Sequence, residues 1–346
     1  MKQLPKIAAL FLAGVAMAAG ASVHAQTLGS QPDPIQFMIA PELPGPNEPV
    51  VIQVQGVGTF LGNATVTWQK NGITVLSGMG ERDYSFTTGG LGAATRIHVV
   101  VNSPTNGTFV RDFVFIPTSV NLLWEANTSV PPLYAGKALY SAGSSITVTA
   151  FPTVVANGAT ISSNNLSFQW QQNGDPSPDA SGKGRNTFTF VGSQLRSGEG
   201  VGVDVYLSDV KVGHAEIFIP ANDPQLILYA RDPLRGVLYR KAVPGGIALG
   251  SKELTLQAVP YFFSTDSVAS GSATYAWTIN STPTSGPDST RGLLTLRQTG
   301  SGVGSATLGV TLQNNDPSRF VQSASTALRI VFGEQTGNTL SSFFGL

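Results

Sequence analysis

The sequence has 346 residues, with 39 glycines, 22 prolines and no cysteine, and its 20 basic and 20 acidic residues give no formal net charge. With only 12% charged residues, the chain lacks the basic stripe that nucleic-acid binding requires and the polybasic patch that would attach it to a membrane surface. Disulfides are excluded, so apolar burial and sheet pairing must stabilise the fold, and the abundance of turn-forming residues favours short strands over helices.

The first 25 residues have the pattern of a secretory signal peptide. Two lysines precede an apolar run over residues 7–21, and Val23 and Ala25 supply small residues at the −3 and −1 positions of a cleavage site. The run is shorter than a membrane-spanning helix, and no later stretch reaches that length. The sequence predicts an exported protein, periplasmic, cell-surface or extracellular, with no transmembrane segment after cleavage; an uncleaved N-terminal anchor is the alternative.

The first folded segment is predicted to follow a polar, flexible leader at residues 26–34. After the leader, alternating apolar and polar residues recur in seven segments, which are separated by turn residues. In residues 64–69 this alternation places Trp68 and its apolar neighbours on one face of a strand. The seven segments predict an antiparallel β-sandwich over residues 35–117.

The hexapeptide Thr-Trp-Gln-Lys-Asn-Gly at 67–72 returns in related form at 169–174 and 276–281. Each copy has a Trp followed three residues later by an Asn, and the Trp residues are 102 and 107 residues apart, which is the size of one β-sandwich. The alternation predicts that each Trp fills the space between two sheets, with a sugar-stacking platform as the alternative. Asn-Gly predicts a hairpin with a type I′ turn.

Other segments return in the same order at nearly the same offset. The Ser-Gly-Met-Gly turn at 77–80 corresponds to 181–184, a shift of 104 residues, and alternating apolar residues at 201–205 correspond to 308–312, a shift of 107 residues. The sequence therefore predicts an all-β chain of three tandem immunoglobulin-like antiparallel β-sandwich domains, joined by short linkers into a stiff, elongated rod. The predicted parts are the signal peptide (1–25), the leader (26–34), domain 1 (35–117), domain 2 (118–220), domain 3 (221–332) and a C-terminal tail (333–346).

The second and third domains share a feature that the first lacks. Residues 122–126 resemble 226–230, and about ten residues further on 134–138 resemble 239–242. We interpret both pairs as an added arm between the first and second strands, running along the domain edge and packing at the joint with the neighbouring domain. Its aromatic residues are the candidates for ligand or partner contact, with packing at the joint as the alternative: Trp124, Tyr134, Tyr229 and Tyr239.

The sequence offers little that would carry catalysis. His98 and His214 lie in non-equivalent places, and no nucleophile, base and orienting group surrounds either of them. Metal-binding spacings of cysteine and histidine are absent. We predict no catalytic residue, no cofactor and no metal, and hence no enzyme. Calcium at a domain joint remains an alternative, with these candidate ligands: Glu125, Asp223 and Asp232.

Taken together, the motifs resemble those of one group of exported proteins. They are Pro-Glu-Leu-Pro-Gly-Pro at 41–46, the repeated Trp-x-x-Asn-Gly, Ser-Gly-x-Gly, Leu-Leu-Trp-Glu-Ala at 122–126 and the segment 131–139. The chain is similar over residues 35–332 to exported immunoglobulin-like and PKD-like tandem-repeat proteins of candidate-phylum bacteria. The resemblance implies the sandwich fold and a context among pilus and cell-surface components, but its motifs are structural and specify no activity.

These observations favour a non-enzymatic, exported structural or adhesive protein that acts at the cell surface or with a pilus-type assembly. Its expected partners are pilus or envelope proteins. A carbohydrate-binding protein that uses the aromatic residues of the arms is the first alternative, and a hydrolase with an unrecognised site is the second. The final Phe-Phe-Gly-Leu at 343–346 is either frayed, part of a short docked helix, or a peptide that docks to a partner.

Overall fold

The computed structural model describes residues 35–56, 61–156, 158–243, 245–249, 253–315 and 322–333. The predicted signal peptide, the leader, and the tail beyond Gly333 lie outside the described residues. Most of the described chain is β-strand, arranged as three successive sandwiches with separate apolar cores. The predicted fold class, tandem immunoglobulin-like β-sandwiches, is confirmed.

Unit one begins at Ile35 and contains seven strands. A three-stranded sheet, β1-β2-β5, faces a four-stranded sheet, β4-β3-β6-β7, and all pairings are antiparallel. The strands are β1 (Ile35–Ala40), β2 (Pro49–Gly56), β3 (Thr65–Lys70), β4 (Ile73–Met79), β5 (Asp83–Thr87), β6 (Thr95–Ser103) and β7 (Gly107–Phe115).

Unit two repeats this plan with sheets β15-β9-β8 and β13-β12-β16-β17, and β14 also pairs with β12. Short 3-10 helices lie at Ser163–Asn165 and Pro178–Ala180. The strands are β8 (Ser119–Ala126), β9 (Ser145–Thr153), β10 (Val155–Ala156), β11 (Ala159–Thr160), β12 (Ser167–Gln172), β13 (Asp175–Pro176), β14 (Gly182–Lys183), β15 (Thr187–Val191), β16 (Gly198–Leu207) and β17 (Val210–Pro220).

Unit three has sheets β19-β18-β21-β24 and β20-β26-β25-β22-β23, in which β20 runs parallel to β26. A short helix, α1 (Thr265–Ala269), follows β21, and a 3-10 helix lies at Ser289–Arg291. The strands are β18 (Gln225–Asp232), β19 (Gly236–Ala242), β20 (Gly246–Leu249), β21 (Glu253–Tyr261), β22 (Ala273–Ile279), β23 (Thr282–Thr284), β24 (Leu293–Arg297), β25 (Gly304–Asn314) and β26 (Ser323–Phe332).

The repeated Trp occupies the same place in each unit. Trp68, Trp170 and Trp277 are 0%, 1% and 3% exposed and belong to the three cores. Each indole Nε1 donates to a backbone carbonyl, of Glu81, Arg185 and Ser289 in turn, at 2.9, 2.8 and 3.1 Å. A buried Trp needs such a partner because an unpaired buried donor is costly. The predicted core position of the three Trp residues is confirmed.

The Asn three residues after each Trp closes the hairpin. Asn71, Asn173 and Asn280 have φ values of 50°, 54° and 49°, as a type I′ turn requires at its first central position. Each Oδ1 accepts from a backbone N–H on the neighbouring strand, of Arg96, Gly200 and Thr307 in turn, at 2.9, 2.9 and 2.8 Å. Unit three keeps the Asn although Ser281, with φ 66°, replaces the glycine, because the amide side chain provides this bond.

The predicted arms need a correction. Residues 122–126 and 226–230 lie inside the first strands, β8 and β18, rather than between the first and second strands. They looked like an addition because the first strand of unit one, β1, has a different sequence although it pairs with its neighbour in the same way. The segment that unit two has in addition is 127–144; we call it the arm of unit two.

Candidate functional site: aromatic residues at the joint of units two and three

The arm of unit two pairs with unit three almost as a strand would. Thr128 and Ser264 form an isolated antiparallel bridge. Ser129 N donates to Phe263 O, and Phe262 N donates to Ser129 O, both at 2.7 Å. The next unit therefore satisfies backbone polar groups at the start of the arm, and these bonds help to fix how the two units meet.

Gln322, at the start of β26, completes the joint with its side-chain amide. Its Nε2 donates to Ser141 Oγ at 2.9 Å and to Ala142 O at 2.8 Å, and its Oε1 accepts from Ser264 N at 2.9 Å. Ser141 Oγ donates in turn to Phe262 O at 2.5 Å. Ser141, Ser264 and Gln322 are 0%, 2% and 5% exposed. A buried network of this kind is satisfied only when both units are in place.

Three of the four candidate aromatic residues come together beside this network. The Tyr134 ring lies edge-on to Tyr261, 5.7 Å between centroids, and 6.2 Å from Phe262. The Tyr229 and Tyr261 hydroxyl oxygens are 2.6 Å apart, and the Tyr229 and Tyr239 rings are 5.5 Å apart. We call these five residues the joint aromatic cluster. Its members come from the arm of unit two and, in unit three, from β18, β19, the last residue of β21 and the residue that follows it.

The cluster combines buried and accessible rings. Tyr229 and Phe262 are 5% and 7% exposed, while Tyr134 and Tyr239 are each 37% exposed. Burial raises the pKa of Tyr261, and the hydrogen bond with Tyr229 raises it further. The Tyr261 phenol therefore stays neutral near pH 7 and acts as a hydrogen-bonding group rather than as an acid or base. The two accessible rings offer an apolar surface with polar edges to a partner.

Trp124 does not join the cluster. It lies on β8, partly buried against the core of unit two, and Lys137 Nζ sits 3.2 Å from the centroid of its ring. Burial lowers the pKa of Lys137, while the nearby Glu125 carboxylate acts in the opposite direction. A sugar that stacked on the ring face beneath Lys137 would have to displace this cation–π contact.

The three candidate calcium ligands lie apart. Asp223 lines a cleft of about 420 Å³ at the joint, and Glu125 lies on β8 beside Lys137. Asp232 Oδ1 accepts from the backbone N–H groups of Leu234 and Arg235 at 2.8 Å, and these bonds lower the pKa of its carboxyl. Within the described ranges, no three His, Cys, Asp or Glu residues are grouped so that they could hold a metal ion.

Each of the two histidines, His98 and His214, pairs with a carboxylate on the adjacent strand. His98 Nδ1 is 2.8 Å from Asp112 Oδ1, and His214 Nδ1 is 2.6 Å from Asp204 Oδ1. Lys211 Nζ approaches the same Asp204 oxygen at 2.8 Å. Burial favours the neutral acid at Asp204, but the hydrogen bonds with Lys211 and His214 outweigh it and lower its pKa. These are the cross-strand charge pairs of an exposed sheet face.

Sequence reasoning missed Tyr261, Phe262 and Gln322. The two aromatics lie at the end of β21 and directly after it, where the sequence pattern is that of an ordinary strand, and a single Gln gives no pattern. A membrane-spanning helix, long and apolar enough, does not occur in the part of the chain that the structure describes.

No family model matches the chain, and no curated protein matches it. Three N-terminal domains of the bacteriophage RB49 highly immunogenic outer capsid protein are 12% identical over 86% of this chain and 98% of that one, with a TM-score of 0.25. The central fibronectin-III array of RIM-binding protein is 15% identical over 90% and 100%, with a TM-score of 0.28. A glucan-utilisation protein of Bacteroides ovatus, SGBP-B, is 12% identical over 88% and 71%, with a TM-score of 0.19. Likenesses this distant say nothing of function.

Proposed function

We propose that this chain is an exported, non-enzymatic structural protein whose tandem sandwiches hold a partner-binding surface in a fixed orientation, at the cell surface or in a pilus-type assembly. The observation that carries the proposal is the buried hydrogen-bond network between Gln322 and the arm of unit two. Its partner is an envelope or filament protein.

The network supports a spacer because rotation of one unit against the other would break several buried bonds together. Each buried group left without its partner costs about 1–3 kcal/mol, so the joint resists bending more than a short flexible linker would. The joint aromatic cluster sits on this stiffened region and presents Tyr134 and Tyr239. Aromatic residues with one accessible edge are frequent anchors of protein interfaces.

The test is capture from the envelope fraction of the source cells with the mature chain as bait. We expect envelope or filament proteins to be recovered, and recovery to fall in a Tyr134→Ala/Tyr239→Ala variant. The matched control is Phe151→Ala, which removes another half-exposed aromatic residue, on β9 of unit two. Equal recovery by both variants removes the cluster from the proposal, and recovery of glycan alone overturns the structural role.

Carbohydrate binding is the second candidate, and the two accessible Tyr rings favour it. Pure surface glycans would then bind the wild-type chain, and binding would disappear in Tyr134→Ala/Tyr239→Ala while the fold stays intact. Trp124→Ala, on β8, tests whether this ring contributes to recognition or to packing. If it lowers only the melting temperature, Trp124 contributes packing with Lys137 and takes no part in recognition.

Export is tested separately through residues 1–25. A tagged full-length chain should appear in the periplasm, on the cell surface or in the medium, shortened by the predicted peptide. Deleting residues 2–25 should retain it in the cytoplasm. A full-length chain that stays unprocessed in the cytoplasm contradicts the exported role, whatever the capture experiment gives.

A further inference from the structure

The three sandwiches differ at their lower ends, by which we mean the end of each unit where its last strand finishes. In each unit, one residue pairs across the sheet with the last residue of the strand that carries the repeated Trp. These residues are Ile97, Val201 and Leu308. The residues two positions earlier are therefore equivalent, and they are Thr95, Glu199 and Ala306. This position lies between the two sheets of each unit.

Unit two fills its lower end with two large polar residues. Glu199 and Tyr140 are both 0% exposed. The Glu199 carboxylate accepts from Gln172 Nε2 at 3.0 Å, from Asn173 Nδ2 at 2.6 Å, and from the backbone N–H of Ser193. The Tyr140 hydroxyl donates to Ser193 O at 3.0 Å. The carboxylate is buried and paired with donors, as a buried charge must be.

Unit one also closes its lower end. Thr88 and Thr95 are each 4% exposed. Thr88 Oγ1 donates to Gly45 O at 2.8 Å and accepts from Glu48 N at 2.9 Å. The segment between its first two strands is thus held across the opening.

Unit three leaves the same place open. With Ala306 where unit two has Glu199, a cavity of about 640 Å³ extends between the sheets, and its walls are mainly apolar. They include Ile279, Leu294, Leu296, Ile330 and Phe332. A cavity of this size and character is typical of a binding site rather than of a packing defect.

We propose that this cavity binds the chain's own final segment, with Phe343 and Phe344 inserted between the sheets of unit three. Phe332 forms part of the cavity wall, so the segment 334–346 starts at its edge. A chain of that length spans up to about 40 Å when extended, which is more than enough to fold back. Glu334 is its only charged residue, and its last seven residues include Leu340, two Phe and Leu346.

Tethering favours this occupant over a free one. A short linker raises the local concentration of the segment to the millimolar range, so modest apolar burial is sufficient for occupancy.

The absence of cysteine gives a direct test in the full chain. Under mild oxidation, Ala306→Cys with Phe344→Cys should form an intramolecular disulfide about tenfold faster than the matched pair of Thr307→Cys with Phe344→Cys. Thr307 neighbours Ala306 on β25 but is exposed on the opposite face. Equal rates overturn the proposal. A disulfide that joins two chains overturns it too, because the occupant would then belong to a second copy.

A second measurement does not depend on disulfide geometry. Phe343→Ser/Phe344→Ser should empty the cavity and raise the binding of an apolar fluorescent dye by the full chain about threefold or more. Adding Ala306→Phe, which fills the cavity, should return the dye signal to the wild-type level. A dye signal that is unchanged in the double-serine variant contradicts the proposal.

Discussion

The two joints of this chain are built from the same sandwich but in opposite ways. At the first, a cleft of about 180 Å³ between units one and two is lined mostly by apolar residues, including Val114, Ile116, Leu207 and Val210. At the second, hydrogen bonds from the arm and from Gln322 cross between the units. The difference follows from the segment between the first two strands of each unit. Residues 42–44 of unit one only line the cleft, whereas the longer arm of unit two forms backbone hydrogen bonds with the next unit.

The two kinds of joint differ in how strongly they fix the angle between neighbouring units. Apolar contact is favourable in many orientations because it is non-directional, so the first joint is stabilised without being fixed to one angle. Buried hydrogen bonds depend on distance and angle, so the second joint has a single low-energy arrangement. We expect bending to concentrate at the first joint.

The largest effect is expected from Gln322→Leu. The substitution leaves the Ser264 N–H and the Ala142 carbonyl without their partner, and it should lower the free energy of unfolding of the coupled second and third units by about 2–4 kcal/mol. Chemical denaturation of the full chain measures this, and small-angle scattering should show a wider spread of shapes. Gln313→Leu, an exposed position on β25, is the control. Equal losses in the two variants contradict the inference that the network holds the two units in one arrangement.

Gly92→Ala should destabilise the first joint by about 1–3 kcal/mol. Gly92 has φ 74°, and an added Cβ would lie 2.6 Å from Val155 Cβ across the joint. Gly90→Ala is the control, since nothing lies within 4 Å of its added Cβ. Combining Gly92→Ala with Val155→Ala should restore part of the loss, leaving only the backbone strain. A combined variant no better than Gly92→Ala would show that the two units do not touch there.

Asp204→Asn should cost about 1 kcal/mol at neutral pH. Asp204 holds Lys211, which lines the unit-two side of the first cleft. Its pKa is lowered in the folded chain, so its contribution is fully present above the unfolded value of about 3.9 and is lost as the pH falls through the folded value. Denaturation at about pH 7, 5 and 3 should show the gap from wild type closing at the lowest pH. The control is Asp209→Asn at an exposed turn residue; an equal pH-dependent gap in that variant would contradict the assignment of the effect to Asp204.

Asn127→Ala should have the smallest effect, about 0.5 kcal/mol or less. Asn127 Nδ2 donates to Asp266 Oδ1 at 2.9 Å across the second joint, but both groups are exposed to solvent. Thermal unfolding of the full chain should therefore move by a degree or two at most, roughly. A loss as large as that of Gln322→Leu would mean that the rim of the joint matters as much as its buried centre.

The sandwiches could be predicted from the sequence because their determinants are local. Period-two alternation places each Trp, and the Asn three residues later closes each hairpin, so the repeat at Trp68, Trp170 and Trp277 predicts the same sandwich in every unit. The buried Glu199 was missed although the pattern contains it. It alternates with Val201 and Val203 on β16, and that period alone places it inward.

The joint could not be predicted in this way. Tyr261, Phe262 and Gln322 meet the arm only because of how two units are placed relative to each other, and nothing in a single strand records that placement. The candidate residues Tyr134, Tyr229 and Tyr239 were found as a sequence similarity between two segments. Their actual neighbourhood depends on Tyr261, whose own strand gives no reason to single it out.

The bond between Ser141 and Gln322 joins residues 181 positions apart in the chain. A ribosome finishes the arm long before it reaches β26, and most of unit three must be synthesised before this partner exists. Until then Ser141 lacks Gln322 as a partner, and this part of the joint is incomplete. The second joint is therefore among the last parts of the molecule to form. Until synthesis is nearly complete, the angle between neighbouring units is not fixed at either joint.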